Sequence, residues 1–148
     1  MNVESIMTPN AVTVSMDDTV EHVREIFHAH QFHHILVVEC GRVVGVVSDR
    51  DLLKHLSPFV GTRNERAQDH WCLEKRVHQI MTRQLVSVTP ETPIKVALAL
   101  LIHHKVTCLP VVTAQGTCAG IVTWHDFLEY SLHCSVEPNC TIQRPEAA

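Results

Sequence analysis

The chain has 148 residues, enough for one compact domain or for two small units that share a core. Hydrophobic residues make up 45% and charged residues 19%, and the net charge of −4 with a pI near 6.3 argues against a general nucleic-acid or anionic-membrane surface. No apolar run approaches the ~20 residues of a membrane span, and Met1-Asn2-Val3-Glu4-Ser5 lacks the regions of a signal peptide, so a cytoplasmic protein with six free thiols (Cys40, Cys72, Cys108, Cys118, Cys134, Cys140) is expected.

In chain order, an extended stretch, Val12-Thr13-Val14, comes first and turns at Met16-Asp17-Asp18. Asp18 with Glu21 has the form of a capping box, and Val20, Val23, Ile26 and Phe27 share one helical face, which predicts a helix over 19–30. Two apolar runs follow at 35–38 and 43–47, joined around Cys40-Gly41, and they read as buried strands of a hairpin. The second run passes into a short helix over 49–55. Residues 57–76 are polar, with Pro58 and Gly61 near the start; they read as a surface connector, with helical character over 65–77 that docks Trp71 and Leu73.

The series then repeats. A second helix of the first kind is predicted over 93–104, with Pro93 at its first position and Ile94, Ala97, Leu98 and Leu101 on one face. Strands are expected at 109–112 and 117–122 around Ala114-Gln115-Gly116, then a helix over 124–132. The tail, 134–148, carries Pro138 and Pro145 and is expected to be loosely ordered.

The repetition is literal in places. Ile6-Met7-Thr8 returns as Ile80-Met81-Thr82, and Val12-Thr13-Val14-Ser15 as Val86-Ser87-Val88-Thr89, both at an offset of 74. Ile35-Leu36-Val37-Val38 matches Leu109-Pro110-Val111-Val112 at the same offset. After one insertion, Gly45-Val46-Val47-Ser48-Asp49-Arg50-Asp51 matches Gly120-Ile121-Val122-Thr123-Trp124-His125-Asp126 at an offset of 75. Two β-α-β-β-α units are therefore expected, each covering one side of its sheet and sharing a core with the other.

Ile-Met-Thr at each start, Leu109-Pro110-Val111-Val112, and the Gly-x-x-Ser/Thr-x-x-Asp ending of each copy together resemble the CBS-domain pair, or Bateman module. Ser48-Asp49-Arg50-Asp51-Leu52-Leu53 and the linker beginning Leu56-Ser57-Pro58 look most like stand-alone bacterial modules of the acetoin-utilisation type. The resemblance implies an α+β, sandwich-like fold in which tandem motifs over 3–56 and 77–133 pack by pseudo-two-fold symmetry. It also implies a regulatory module, not an enzyme, that binds AMP, ADP, ATP or S-adenosylmethionine in clefts between the motifs, needs no obligatory cofactor, pairs as a homodimer, and modulates an unidentified protein partner.

Ser48 with Asp51, and Thr123 with Asp126, have the spacing of helix N-caps, a role that needs no ligand. The resemblance adds a second role, in which each hydroxyl meets a phosphate and each carboxylate accepts from ribose hydroxyls. It implies one cleft in which Val46, Ser48 and Asp51 face Thr82, Leu85, Val86 and Ser87, and another in which Ile121, Thr123 and Asp126 face Thr8, Ala11, Val12 and Thr13. The opening segments read equally well as edge strands. His33, His34 and Arg50 are expected to add positive charge at the Asp51 cleft, where copy two offers Thr107, Cys108 and His125, so the Asp51 cleft is expected to take phosphate better. His34 also reads as a packed strand residue, because neutral imidazole substitutes poorly for arginine. Two rival functions remain open: a dimerisation scaffold that needs no ligand, and metal or redox sensing by the twelve histidines, none of which has zinc-finger spacing. No P-loop or nucleophile-elbow motif is present in the sequence.

Overall fold

The computed structural model describes residues 1–134. Six strands and five helices follow one another as β1 (Thr8–Pro9), β2 (Thr13–Val14), α1 (Val20–Ala29), β3 (His34–Glu39), β4 (Arg42–Ser48), α2 (Asp49–His55), α3 (Ala67–Glu74), α4 (Ile94–His104), β5 (Cys108–Val112), β6 (Cys118–Thr123) and α5 (Trp124–Cys134), with 3-10 turns at Val3–Ser5 and Val77–Gln79. The tail expected to be loose lies outside the described residues, except Cys134, which ends α5.

Each copy forms a three-stranded sheet, but the sheets differ in what they contain. One has the order β2-β3-β4, with β2 parallel to β3 and β3 antiparallel to β4. The other has the order β1-β6-β5, so its edge is a strand from the first copy: Thr8 pairs with Ile121 and Pro9 with Gly120. The reverse crossing is an antiparallel bridge in which Val46 N donates to Thr82 O (3.1 Å) and Thr82 N donates to Val46 O (2.9 Å). In copy two, the expected extended run at Val86-Ser87-Val88 makes only a single parallel bridge, Val88 to Val111.

The copies thus exchange their opening segments, and the exchange follows the 74-residue offset bond by bond. Val3 N donates to Thr92 O (2.8 Å), and Val77 N donates to Asp18 O (2.9 Å). Ile94 N donates to Met1 O (3.3 Å), and Val20 N donates to Lys75 O (2.8 Å). Instead of one shared core there are two. The first joins Val14, Val20, Val23, Ile35, Val37, Val47 and Leu52 to Val77, Ile80 and Met81 of the other copy. The second joins Val88, Ala97, Leu101, Leu109, Val111, Val122 and Phe127 to Val3, with Ile6 and Met7 packed on it. A small third cluster, Leu36, Cys108 and Ile121 with Ala11, Val43, Val46 and Cys118, seals the two sheets together. Full burial of each such aliphatic side chain contributes roughly 1.5–3 kcal/mol, so neither sheet has a complete apolar face without the other copy's segment.

Gly45 and Gly120 sit where the exchanged backbones cross. A Cβ on Gly120 would lie 2.5 Å from Thr8 O, and one on Gly45 would lie 2.7 Å from Met81 Sδ. The repeated glycine is a spacing requirement.

Three local expectations are corrected. The N-cap of α1 is Thr19, whose Oγ1 accepts from His22 N (3.2 Å); Asp18 is diverted into the preceding turn, where its carboxylate accepts from Ser15 N (2.8 Å). Pro93 stands immediately before α4, not inside it. In the connector, α3 docks Leu73, but Trp71 projects outward and is 68% exposed, because only one face of this short helix meets α1.

Candidate functional site

Each copy ends its last strand in a hydroxyl residue that begins a helix, and each places a carboxylate one turn on. Ser48 N and Ser48 Oγ both donate to Asp51 Oδ2 (2.9 Å each), and Asp51 N returns a bond to Ser48 Oγ (3.1 Å), a complete capping box. Thr123 N (2.6 Å) and Thr123 Oγ1 (2.9 Å) donate to Asp126 Oδ2. In both copies the cap uses Oδ2, and among the described residues no hydrogen bond reaches Oδ1. The capping reading and the ligand reading therefore do not compete: one oxygen holds the helix and the other is open to an incoming hydroxyl.

A cavity of about 440 Å³ opens beside Asp126. Ile121, Thr123, Trp124, His125 and Asp126 form one wall, and Thr8, Asn10, Ala11 and Val12 form the facing one. Gln31, Phe32, His33 and His34 close the end. Two backbone facts bring these pieces together. Thr8 is paired with Ile121 by the exchange, and Leu36 N donates to Val12 O (3.3 Å), which ties the opening segment to the start of β3. The Val12 carbonyl is thereby already engaged.

The structure brings Thr8, Ala11, Val12, Ile121, Thr123 and Asp126 together as grouped from the sequence, and leaves Thr13 out: it pairs with Leu36 in β2 and is absent from the cavity lining. On the other side, Val46 is bonded to Thr82, Val86 packs on the second core, Leu85 is half-buried, and Ser87 and Arg50 are exposed. His33 and His34 stand between the two helix starts. They line the Asp126 cavity, because β3 and the opening segment of the same copy face the helix start of the other, while His34 also pairs with Ser48 and feels the Asp51 carboxylate. Their offset partners, Thr107 and Cys108, fall on the Asp51 side; the Asp51 carboxylate is close enough to help burial push the Cys108 thiol up to about 12.

Both histidines are engaged by neighbouring side chains. His33 Nδ1 lies 2.8 Å from Asp49 Oδ2. His34 Nε2 is hydrogen-bonded to Thr107 Oγ1 (2.8 Å), a direct side-chain tie between the copies, and burial lowers its pKa against the opposing pull of the Asp49 and Asp51 carboxylates. Burial disfavours the charged imidazolium, so His34 is a neutral tether, as the packed-strand reading had it.

Asn10, Gln31, Phe32 and Trp124 were missed by reasoning from the sequence. The signal for Trp124 was the repeat itself, since an indole stands where copy one has Asp49. Asn10 adopts φ 53°, a left-handed turn that asparagine tolerates and that carries the chain around the cavity mouth. Among the described residues no three of His, Cys, Asp and Glu converge as metal ligands, and the five described cysteines are unpaired thiols. No described helix is long and apolar enough to cross a membrane.

Comparison with known proteins places this geometry. The family model described as CBS domain matches twice, at residues 3–58 and 77–133. A CBS domain-containing protein of Dictyostelium discoideum is 31% identical over 86% of this chain and 88% of its own. Among solved structures, an acetoin utilization protein, AcuB, from Vibrio cholerae superposes with TM-score 0.74 at 25% identity, covering 90% of this chain and 92% of that one. CBSX2, solved in complex with AMP, superposes with TM-score 0.74 at 29% identity over 90% of this chain and 97% of its own. The chain spans only 20–24% of the length of several curated enzymes that it matches.

Proposed function

The chain belongs to the CBS-domain family, and on that premise we propose that it is a regulatory module that binds adenosine-derived ligands between its two motifs and passes the change to a protein partner. The observation that carries this reading is the cavity beside Asp126. It sets a carboxylate oxygen free of the cap in a cavity whose apolar lining comes from Ala11, Val12, Ile121, Phe32 and Trp124. A ribose needs a paired acceptor and an adenine needs a flat apolar slot with a few polar edges, and about 440 Å³ is the size of a small-ligand site. The AMP complex of CBSX2 supports the same ligand class.

Asp51 Oδ1 gives the second cleft the same ribose chemistry. The role proposed is binding, in keeping with the Dictyostelium CBS domain-containing relative, which is matched along most of its length. Val96, Leu98 and Ile102 of α4 and Leu128 and Leu132 of α5 are exposed apolar side chains, which supports pairing of two copies as a homodimer.

The test is a thermal-shift screen with AMP, ADP, ATP and S-adenosylmethionine. A ligand at a hundred times its Kd should stabilise the fold by about 2.7 kcal/mol, and at least one should raise Tm. No shift with any of the four would leave the dimerisation scaffold as the better account.

A further inference from the structure

The connector between the copies is folded around its own two carboxylates. Ser57 Oγ donates to Asp69 Oδ1 (2.6 Å) and Arg66 N donates to Asp69 Oδ2 (2.7 Å), which ties the end of α2 to the first turn of α3. Gly61 N donates to Glu65 Oε2 (3.1 Å), and His70 Nε2 lies 2.9 Å from Glu65 Oε1. Each of the four carboxylate oxygens therefore has a partner inside the connector.

These bonds shape a second cavity, of about 450 Å³, that shares no lining residue with the one beside Asp126. Besides the two acids, Arg63, Arg66, Asn64 and Gln68 line it, and the half-exposed ring of Phe59 is its apolar part. The acids are already engaged, and the arginines are not. Among the described residues, neither the Arg63 nor the Arg66 guanidinium stands in an ion pair or donates a hydrogen bond. A third guanidinium, from Arg24 of α1, reaches the same loop: its Nη2 stands 3.4 Å from where a Cβ on Gly61 would lie.

Two guanidinium groups on one cavity match a phosphate monoester dianion in charge, and each can give it two parallel N–H···O bonds. A lone carboxylate would leave one of them unmatched. The volume is within the range of about 300–1,000 Å³ for small-molecule sites, more than bare phosphate fills. That leaves room for an organic body against Phe59, with the Asn64 and Gln68 amides able to meet its hydroxyls.

We propose that the connector cavity is a further binding site, for a small hydroxylated phosphate monoester held by Arg63 and Arg66. It lies apart from the adenosyl site proposed above and does not rest on it. Because its walls run from the loop after α2 into α3, an occupant braces the segment that joins the two copies.

Titration of the full, isotope-labelled chain with glucose 6-phosphate, followed by backbone amide shifts, tests it, with glucose and inorganic phosphate as separate arms. Saturable shifts are expected over residues 59–69 and not around Thr123 and Asp126, and glucose should produce none. Arg63→Gln and Arg66→Gln should each weaken binding about tenfold. Phe59→Leu should weaken the ester and leave inorganic phosphate unchanged. All three side chains are exposed, so the variants should fold, and a far-UV melt checks this. Unchanged affinity in the double arginine variant, or shifts confined to other parts of the chain, would overturn the site. Inorganic phosphate bound as tightly as the ester would overturn the choice of an ester.

Discussion

The two crossings of exchanged backbone look alike in the repeat and differ in their tolerance. At one, Gly120 faces the Thr8 carbonyl and the Pro9 Cα, both fixed backbone. At the other, Gly45 first meets the end of the Met81 side chain, which can turn aside, and the Thr82 carbonyl stands 3.2 Å from where a Cβ would be. A duplicated fold therefore keeps a common plan while the margin for change moves to whichever copy has a flexible side chain at the contact. Two glycines with one sequence signature carry unequal constraints.

Alanine at the two glycines measures that inequality. Gly120→Ala should destabilise by about 3 kcal/mol, the upper part of the usual range for overpacking, and Gly45→Ala by about 1 kcal/mol, both read from urea unfolding midpoints. Equal losses would mean that Met81 is as immovable as backbone. A smaller contrast lies in the caps. Ser48→Ala removes an acceptor from Asp51 N and a donor to Asp51 Oδ2, and should cost about 1 kcal/mol; Thr123→Ala removes the donor alone and should cost about half as much. Chemical denaturation of the two variants side by side would collapse this distinction if their losses matched.

The smallest effect concerns the tether. The folded state holds the His34 pKa below its ordinary value of 6.5, so below that pH the unfolded chain takes up the proton first. Stability should then fall as pH drops through 6.5 and level off beneath the folded-state value. His34→Gln keeps a hydrogen-bonding side chain toward Thr107 but cannot titrate, so its pH dependence over this window should be flatter. Parallel slopes for the two proteins would locate the titration elsewhere.

These contrasts mark what could be read in the chain before its structure. The hairpins were plain, because apolar runs such as Ile35-Leu36-Val37-Val38 and Leu109-Pro110-Val111-Val112 are bounded by turns, and the first three residues of each are fully buried. The acids that cap and face the clefts were equally plain, since Ser/Thr-x-x-Asp is a local pattern. Two kinds of feature were not. Where neighbours compete for one role, as Asp18 and Thr19 do for the cap of α1, the Ser15 amide decides, and nothing in the spacing reveals its bond. Where the fold brings together distant segments, local pattern is silent. His33 and His34 are close to Asp51 in sequence yet line the cavity of Asp126, because the cavity joins the start of β3 to the far copy's last helix. Trp71 failed for a third reason: an indole in a short helix has no place to go when one face alone is covered.

The exchange of opening segments also sets an order of events for a chain that is made from its N-terminus. Residues 3–9 leave the ribosome long before the strand that β1 must join, which ends near Thr123. At about 5–20 residues per second, that partner emerges roughly 6–23 s later. In that interval Val3, Ile6 and Met7 have no core to enter, and the first sheet likewise waits for Val77, Ile80 and Met81. These apolar residues are synthesised early and seated late, so they stay exposed through much of translation.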